Sequence, residues 1–298
     1  MIPPARNQGW VGMMRSFCGA KQLLGLFLSS LLLAAAGAAP PPVGPKPAKL
    51  DVRSNAALVV DANDSTVLFA QRDNTAVPIA SITKLLTALV VLDGRQPLDE
   101  IITITNADRD TERASSSRLV TGTTLSREEL LHLALMSSEN RAAHALGRSY
   151  PGGLAGFVRA MNTKAKSLGM ASSQFSDPTG LSSRNVASAR DLVKLVKAAS
   201  DKPLIRRYST DERHTVVAGR RSLEFRNTNS LVARLDWNIA VQKTGYTQDA
   251  GECLVMHTRI DGRSVVIVLL NSFGKYTRVA DARRIRKWME AATRSVQG

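Results

Sequence analysis

Apolar positions along this chain follow two periods, and the switches between them outline a fold. Early on, Ala56–Asp61 and Val67–Ala70 are β-rich runs joined by Ala62-Asn63-Asp64-Ser65, a hairpin signal. The period then lengthens. Leu85, Leu86, Leu89 and Val90 recur at helical spacing after Ser81 until Asp93-Gly94 stops the pattern. Ser126-Arg127-Glu128-Glu129 is a capping box that opens a second helix, over Leu130 to Leu135, ending near Met136. A short connection, Ser138-Glu139-Asn140, precedes a further helical stretch through Ala142, Ala145 and Leu146. Asp177-Pro178-Thr179-Gly180 reads as a turn, and Asp191–Ala199 as another amphipathic helix.

Beyond residue 213 the shorter period returns. Asn238–Lys243, Cys253–Arg259 and Ser264–Asn271 are β-rich, and Ile260-Asp261-Gly262-Arg263 joins the last two. Val279, Ala282, Ile285, Trp288, Met289 and Ala292 then mark one face of a C-terminal helix whose other face is basic. Following a strand directly, that helix is expected to pack on the sheet; a membrane-surface helix is the alternative. Strands at both ends with helices between predict an α+β fold with one antiparallel sheet completed by both ends of the chain.

Composition narrows the setting. At 298 residues, 44% hydrophobic and 22% charged, the chain is long enough for a sizeable core. Its net charge of +15 favours polyanions without choosing one. Scattered basic residues, 5% aromatics and the lack of a recognisable motif argue against nucleic acid as a partner. Arg6, Arg15 and Lys21, the apolar run Leu23–Ala35 and the small residues Ala36-Gly37-Ala38 read as a signal peptide over residues 1–38. The apolar run is short for a membrane span, so cleavage is expected to leave no stable membrane anchor; an uncleaved anchor is the alternative. Residues 39–51, with Pro45 and Pro47, form an extended linker, and residues 52–293 a single domain. Cleavage leaves Cys253 alone, so no intrachain disulfide is expected, and its apolar neighbours make it a buried structural thiol.

The candidate chemistry lies in three short motifs in order: Ser81-Ile82-Thr83-Lys84, Ser138-Glu139-Asn140 and Lys243-Thr244-Gly245. A serine hydroxyl needs a base within hydrogen-bond reach to become a nucleophile. Spacing of i and i+3 on a helix puts Lys84 beside Ser81, and burial would strip the lysine of its proton. The N–H of Ser81, at the helix start, could stabilise an oxyanion. Ser138 and Asn140 could relay a proton to a leaving amine and hold the amide of an acyl donor. Lys243, at a strand end, supplies positive field, Thr244 can bind a carboxylate, and Gly245 lets substrate backbone lie close.

Decoys exist. Ser272-Phe273-Gly274-Lys275 carries an internal glycine and follows a strand, and Ser183-Arg184-Asn185 falls in a loop, so both are set aside. Histidine chemistry would use His132, His144, His214 or His257, but no Gly-x-Ser-x-Gly elbow accompanies them; His132 and His144 read as structural. No cluster has metal-ligand spacing, so neither metal nor cofactor is expected.

The ordered triplet, with Phe175-Ser176-Asp177-Pro178-Thr179-Gly180-Leu181, resembles the low-molecular-mass penicillin-binding proteins. It is similar to their D-alanyl-D-alanine endopeptidases of the penicillin-binding protein 7 type, over about residues 52–293. The resemblance implies a serine β-lactamase/DD-peptidase-like fold: a five-stranded antiparallel sheet flanked by helices, with an inserted all-helical region. It implies Ser81 as acylated nucleophile, Lys84 as base, and Ser138 and Asn140 lining the cleft. Lys243, Thr244 and Gly245 would form the strand wall, and the N–H of Tyr246 a second oxyanion donor. Glu139 departs from the small or polar residue usual at that position.

Branches differ by what they carry. A class A β-lactamase needs a glutamate between the second and third motifs, and none occurs from Arg141 to Asp211. A carboxypeptidase of the penicillin-binding protein 5 type carries a β-rich domain and an amphipathic anchor after the catalytic domain. Here the stretch after Gly245 suffices only to finish a sheet and one helix. The expectation is therefore a periplasmic endopeptidase acting on cross-linked peptidoglycan stem peptides, with β-lactams as covalent inhibitors. A carboxypeptidase and a non-turnover penicillin-binding sensor are the alternatives.

Overall fold

Five strands meet in one antiparallel sheet because their sequences supply apolar side chains to both faces at once. In the computed structural model, which describes residues 50–297, β1 (Ser54–Asp61) and β2 (Val67–Gln71) make the first hairpin. The expected signal peptide and residues 39–49 of the linker lie outside the described residues. A helical body follows, interrupted by short pairings: β3 (Val77–Pro78), α1 (Thr83–Asp93), β4 (Ile101–Thr103), β5 (Thr124–Ser126), α2 (Arg127–Met136) and α3 (Asn140–Arg148). It continues through α4 (Gly153–Ser167), β6 (Val186–Ala187), α5 (Ala189–Ser200) and α6 (Pro203–Thr210). The hairpin β7 (Arg213–Ala218) and β8 (Arg221–Arg226) leads to β9 (Asn238–Thr247), β10 (Gly251–Ile260) and β11 (Arg263–Ser272). The helix α7 (Thr277–Gln297) closes the order.

The sheet runs β2-β1-β11-β10-β9. β1 lies against β11, from Ser54 opposite Ser272 to Asp61 opposite Val265, so strands from both ends of the described chain share the centre, as the periodicity predicts. Alternation divides their side chains. Ala56, Leu58 and Val60 of β1 and Val266, Val268 and Leu270 of β11 join the core beneath the helical body. Ala57, Val59, Val265, Ile267 and Leu269 face the other way, onto Ala282, Ile285 and Met289 of α7. The C-terminal helix thus covers the sheet. No helix among the described residues is long and apolar enough to cross a membrane.

α1 is the helix on which the site depends. Its residues Thr83 to Val91 are all buried, with α2, α3, α4 and α5 packed around it. A helix enclosed on all sides must be apolar nearly throughout, which is how Thr-Lys-Leu-Leu-Thr-Ala-Leu-Val-Val reads. Thr83 and Thr87 donate their hydroxyls to the carbonyls of Ala80 and Pro178, and Lys84 is the one charged residue in the stretch. The sequence pattern did not resolve α4, α6 or the β7–β8 hairpin. α4 starts at Gly153 after Gly152 in left-handed backbone and has charges between its buried Phe157, Met161 and Ala165, so packing carries it more than propensity. β9 also runs beyond the expected end at Lys243, through Thr247.

One carboxylate ties the sheet to α7. Asp281, fully buried, accepts hydrogen bonds from the backbone N–H of Arg53 (3.1 Å) and Ser54 (2.7 Å) and from Ser54 Oγ (2.6 Å). Arg284 pairs with it from the next turn of the helix. Asp281→Ala leaves buried donors and a cation without their acceptor and is expected to cost about 3 kcal/mol in urea unfolding. A loss below about 0.5 kcal/mol, the size of an ordinary surface substitution, would show that the clamp carries no weight.

Candidate active site

The site forms where the start of α1 meets a turn, a helix corner and the outer strand of the sheet. Ala80 to Ile82 make one tight turn that runs into α1, which places Ser81 and Lys84 on adjacent turns of backbone. Lys84 is fully buried, and its Nζ has three neighbours: Ser81 Oγ at 2.8 Å, Asn140 Oδ1 at 2.8 Å and the carbonyl of Thr179 at 2.6 Å. Burial lowers the lysine to about 7, against the opposing pull of Asp177 and Glu139. The three acceptors match the three N–H groups of an ammonium. Once the amine is neutral, two N–H groups still reach the Asn140 and Thr179 oxygens and the lone pair is free for the Ser81 hydroxyl proton. Asn140 is held in that orientation because its Nδ2 donates to Ser115 Oγ at 3.0 Å.

The Thr179 carbonyl is fixed by a network within the segment that the sequence marks as a turn and as part of the family resemblance. Asp177 Oδ1 accepts from the N–H groups of Thr179 (2.7 Å) and Gly180 (2.8 Å), and Pro178 O accepts from Thr87 Oγ1 of α1 (2.7 Å). Asn185 braces the turn from behind. Its Oδ1 accepts from Ser176 N (2.7 Å), and its Nδ2 donates to Asp177 O (2.9 Å) and Thr83 Oγ1 (3.2 Å). The decoy Ser183-Arg184-Asn185 is therefore a structural bracket, and its asparagine is fully buried.

The second motif contributes unequally. Asn140 begins α3 and reaches Lys84, whereas Ser138 sits in the corner before it with φ +61 and makes no hydrogen bond to either Ser81 or Lys84. Ala80, just before Ser81, is likewise left-handed at φ +47. Non-glycine residues in that region store strain, and here one such residue precedes the first motif and another opens the second. Glu139 caps α3 by accepting from Arg141 N at 3.2 Å.

The third motif forms the opposite wall. Gly245 passes so near the Ser81 turn that a Cβ on it would lie 3.1 Å from Ser81 N and 2.8 Å from Ile79 O. Lys243 is fully buried, its Nζ donating to Thr244 O at 3.0 Å; burial, then Lys84 and Arg278, press its pKa well down. That direction opposes the expected positive field at Lys243. Thr244 Oγ1 is 2.6 Å from Thr228 Oγ1. Arg278, on α7, holds the strand from outside by donating to Gly245 O (2.7 Å) and Cys253 O (3.1 Å) and pairing with Glu252. In the sequence it was only one cation on the basic face of a helix.

The rival residues are occupied elsewhere. His132 stacks on Tyr208 and against His214, with ring centroids 4.4 and 4.0 Å away, and burial drives it down to about 3. His144 Nδ1 lies 2.8 Å from Asp108 Oδ1. Cys253 is buried, which pushes its thiol up to about 11. Among the described residues no three His, Cys, Asp or Glu side chains gather as a metal site.

Gly180 is the tightest point of this assembly. At φ +84, an added Cβ would meet Ala80 O at 2.0 Å, whereas Gly219 at φ +64 has nothing within 4 Å of such an atom. Gly180→Ala is expected to cost about 3 kcal/mol in chemical denaturation and Gly219→Ala about 1 kcal/mol. Equal losses would show that the contact with Ala80 yields freely.

Known proteins are similar to this chain in sequence and fold. The sequence model of the D-alanyl-D-alanine carboxypeptidase family matches residues 43–274. A D-alanyl-D-alanine endopeptidase of Pseudomonas aeruginosa is 47% identical over 270 residues, covering 90% of this chain and 87% of that one. The protein of the same name in Escherichia coli is 48% identical over 242 residues, covering 80% and 78%. The crystal structure of a Streptomyces DD-transpeptidase superposes with a TM-score of 0.75 at 27% identity, over 80% of this chain and 97% of that one. A D-alanyl-D-alanine carboxypeptidase from Mycobacterium tuberculosis gives 0.73 at 28% identity, over 86% and 95%. The fold is thus the penicillin-recognising one that the sequence resemblance implied, and the chain belongs to the D-alanyl-D-alanine carboxypeptidase family of serine peptidases.

Proposed function

We propose that this protein is a periplasmic DD-endopeptidase that hydrolyses D-alanyl amide cross-links between peptidoglycan stem peptides through an acyl-enzyme on Ser81. The observation that carries this is the buried Lys84 amine, 2.8 Å from Ser81 Oγ and lowered to about 7. Lys84 takes the hydroxyl proton as Ser81 Oγ attacks the D-alanyl carbonyl. The oxyanion that develops meets the N–H groups of Ser81 and Tyr246, which Gly245 allows to come close. Asn140 holds the acyl donor's amide, and Ser138 passes the proton on to the departing amine of the partner stem. Thr244 receives the carboxylate on the leaving side, with Lys243 and Arg278 behind it. An incoming anion favours the charged form of Lys243 again. Water then releases the acyl group. A β-lactam enters by the same attack but leaves slowly, since no glutamate between Arg141 and Asp211 is placed to activate water.

Endopeptidase is preferred to carboxypeptidase because the relatives at 47% and 48% identity bear that name. Export rests on the signal-like segment 1–38.

Ser81→Ala is expected to abolish labelling by a fluorescent penicillin; undiminished labelling would overturn the assignment. Lys84→Arg keeps a cation that cannot shed its proton and should slow acylation by about a thousandfold. Because the folded-state lysine titrates near 7, the acylation rate should climb about tenfold per pH unit below that point and level off above it. A profile flat from pH 5 to 8 would remove Lys84 as the base. Incubation with purified cross-linked muropeptides should yield monomers; release of free D-alanine alone would mark a carboxypeptidase, and a stable adduct without products a sensor.

A further inference from the structure

Three of the exposed large hydrophobic side chains among the described residues are aromatic. Tyr246, Phe273 and Tyr276 are 63%, 95% and 75% exposed, and among the described residues no other Phe, Tyr or Trp is exposed. Their placement is not scattered. Tyr246 of β9 lies opposite Glu252 of β10, Glu252 opposite Ser272 of β11, and Ser272 opposite Ser54 of β1. Phe273 follows Ser272 directly, and Tyr276 stands just before α7, with Lys275 Nζ over its ring 5.7 Å from the centroid. At about 4.8 Å per strand, these rungs span roughly 14 Å from the β9 wall of the cleft to β1. Glu252, Ser272 and Ser54 between them are buried, so the exposed rings stand at the two ends, Tyr246 at one and Phe273 with Tyr276 at the other.

The far end of the row opens on a cavity of about 440 Å³, walled by Phe273, Arg53, Asn55, Gln71, Arg72 and Asn271. Three carboxamides and two guanidiniums therefore surround one exposed aromatic ring. Arg72 Nη1 donates to Asn55 Oδ1 at 2.5 Å, and Gln71 Nε2 to Ser54 O at 2.8 Å. Carboxamides and guanidiniums carry more hydrogen-bonding positions than these contacts use. Arg72 and Asn271 hold left-handed backbone, at φ +46 and +49. A bulky residue keeps such a conformation only where its surroundings enforce it.

Flat aromatic faces beside amide and guanidinium groups match a sugar ring, which offers an apolar C–H face and a rim of hydroxyl and acetamido groups. The geometry points to a second binding site at the Phe273 end of this row, for the amino-sugar strand of the polymer that carries the stem peptides. The site rests on the reading of the cleft for the identity of that polymer. A stem peptide whose D-alanyl end lies against β9 leaves its glycan anchor nearby, and the row leads away from that wall. Attachment here would hold the enzyme on the insoluble wall while successive cross-links pass through the cleft, adding effective concentration to a weak peptide site.

The test compares the full mature chain with a Phe273→Ala/Tyr276→Ala double variant. Both side chains are exposed, so folding is spared, and acylation of Ser81 by fluorescent penicillin checks this directly. Wild type should cosediment with glycan strands stripped of their peptides, and the double variant should bind about tenfold more weakly, the loss expected of two aromatic contacts. Cleavage of a sugar-free, cross-linked stem-peptide dimer should be unchanged, while cleavage of intact sacculi should fall severalfold. Failure of wild type to bind stripped glycan, equal binding by the variant, or a preference for anionic lipid vesicles would each overturn the proposal. Wild type that binds glycan but takes up no penicillin would instead count against the reading of the cleft.

Discussion

A lysine amine must lose its proton before it can take one from a serine, and the burial of Lys84 decides that balance. Water around an exposed lysine would keep it charged at any physiological pH. Enclosed in α1, with the helical body around it, the ammonium loses its hydration and the neutral form becomes accessible near pH 7. The same burial would be ruinous for an unpaired amine. Asn140 Oδ1, Thr179 O and Ser81 Oγ account for its hydrogen-bonding positions, so desolvation tunes the group without leaving it unsatisfied. Much of the surrounding structure serves these three partners: the Asp177 turn, the Asn185 bracket and the contact between Asn140 and Ser115.

The second constraint is space. Two glycines, Gly180 and Gly245, press on the Ala80–Ser81 turn from separate elements, and each leaves too little room for a methyl group. The turn is left-handed at Ala80, and the corner that bears the second motif is left-handed at Ser138. Neither conformation would survive in an isolated peptide; each persists because the packed elements around it over-determine the backbone. The clamp of Asp281 on β1 and of Arg278 on β9 extends this rigidity to the far side of the sheet, where α7 holds two of the strands at one end. Catalytic geometry and fold stability are therefore supported by the same contacts.

The elements predicted with most success were those whose pattern had a single physical cause. The two hairpins, the central sheet strands, α1, α2 and the C-terminal helix follow from apolar period and capping residues. α4, α6 and the β7–β8 hairpin did not, since glycine, proline and charge dilute their periodicity and tertiary packing completes them. Among site residues, Ser81, Lys84, Asn140 and Gly245 come together as their order suggested. Residue type and spacing do not mark Thr179, Asn185 and Arg278 as participants: one acts through its carbonyl, one braces a loop, and one stands on the basic face of a helix.

The sequence by itself determined the α+β order of elements, the pairing of Ser81 with Lys84 across one helical turn, and the family resemblance carried by three ordered motifs. These are local properties, set by spacing and residue type. Only the tertiary structure decided the lowered pKa of Lys84, the unequal placement of Ser138 and Asn140, and the downward shift at Lys243. Each of those depends on how much water and which charges surround a group, and the neighbours come from segments distant in the chain.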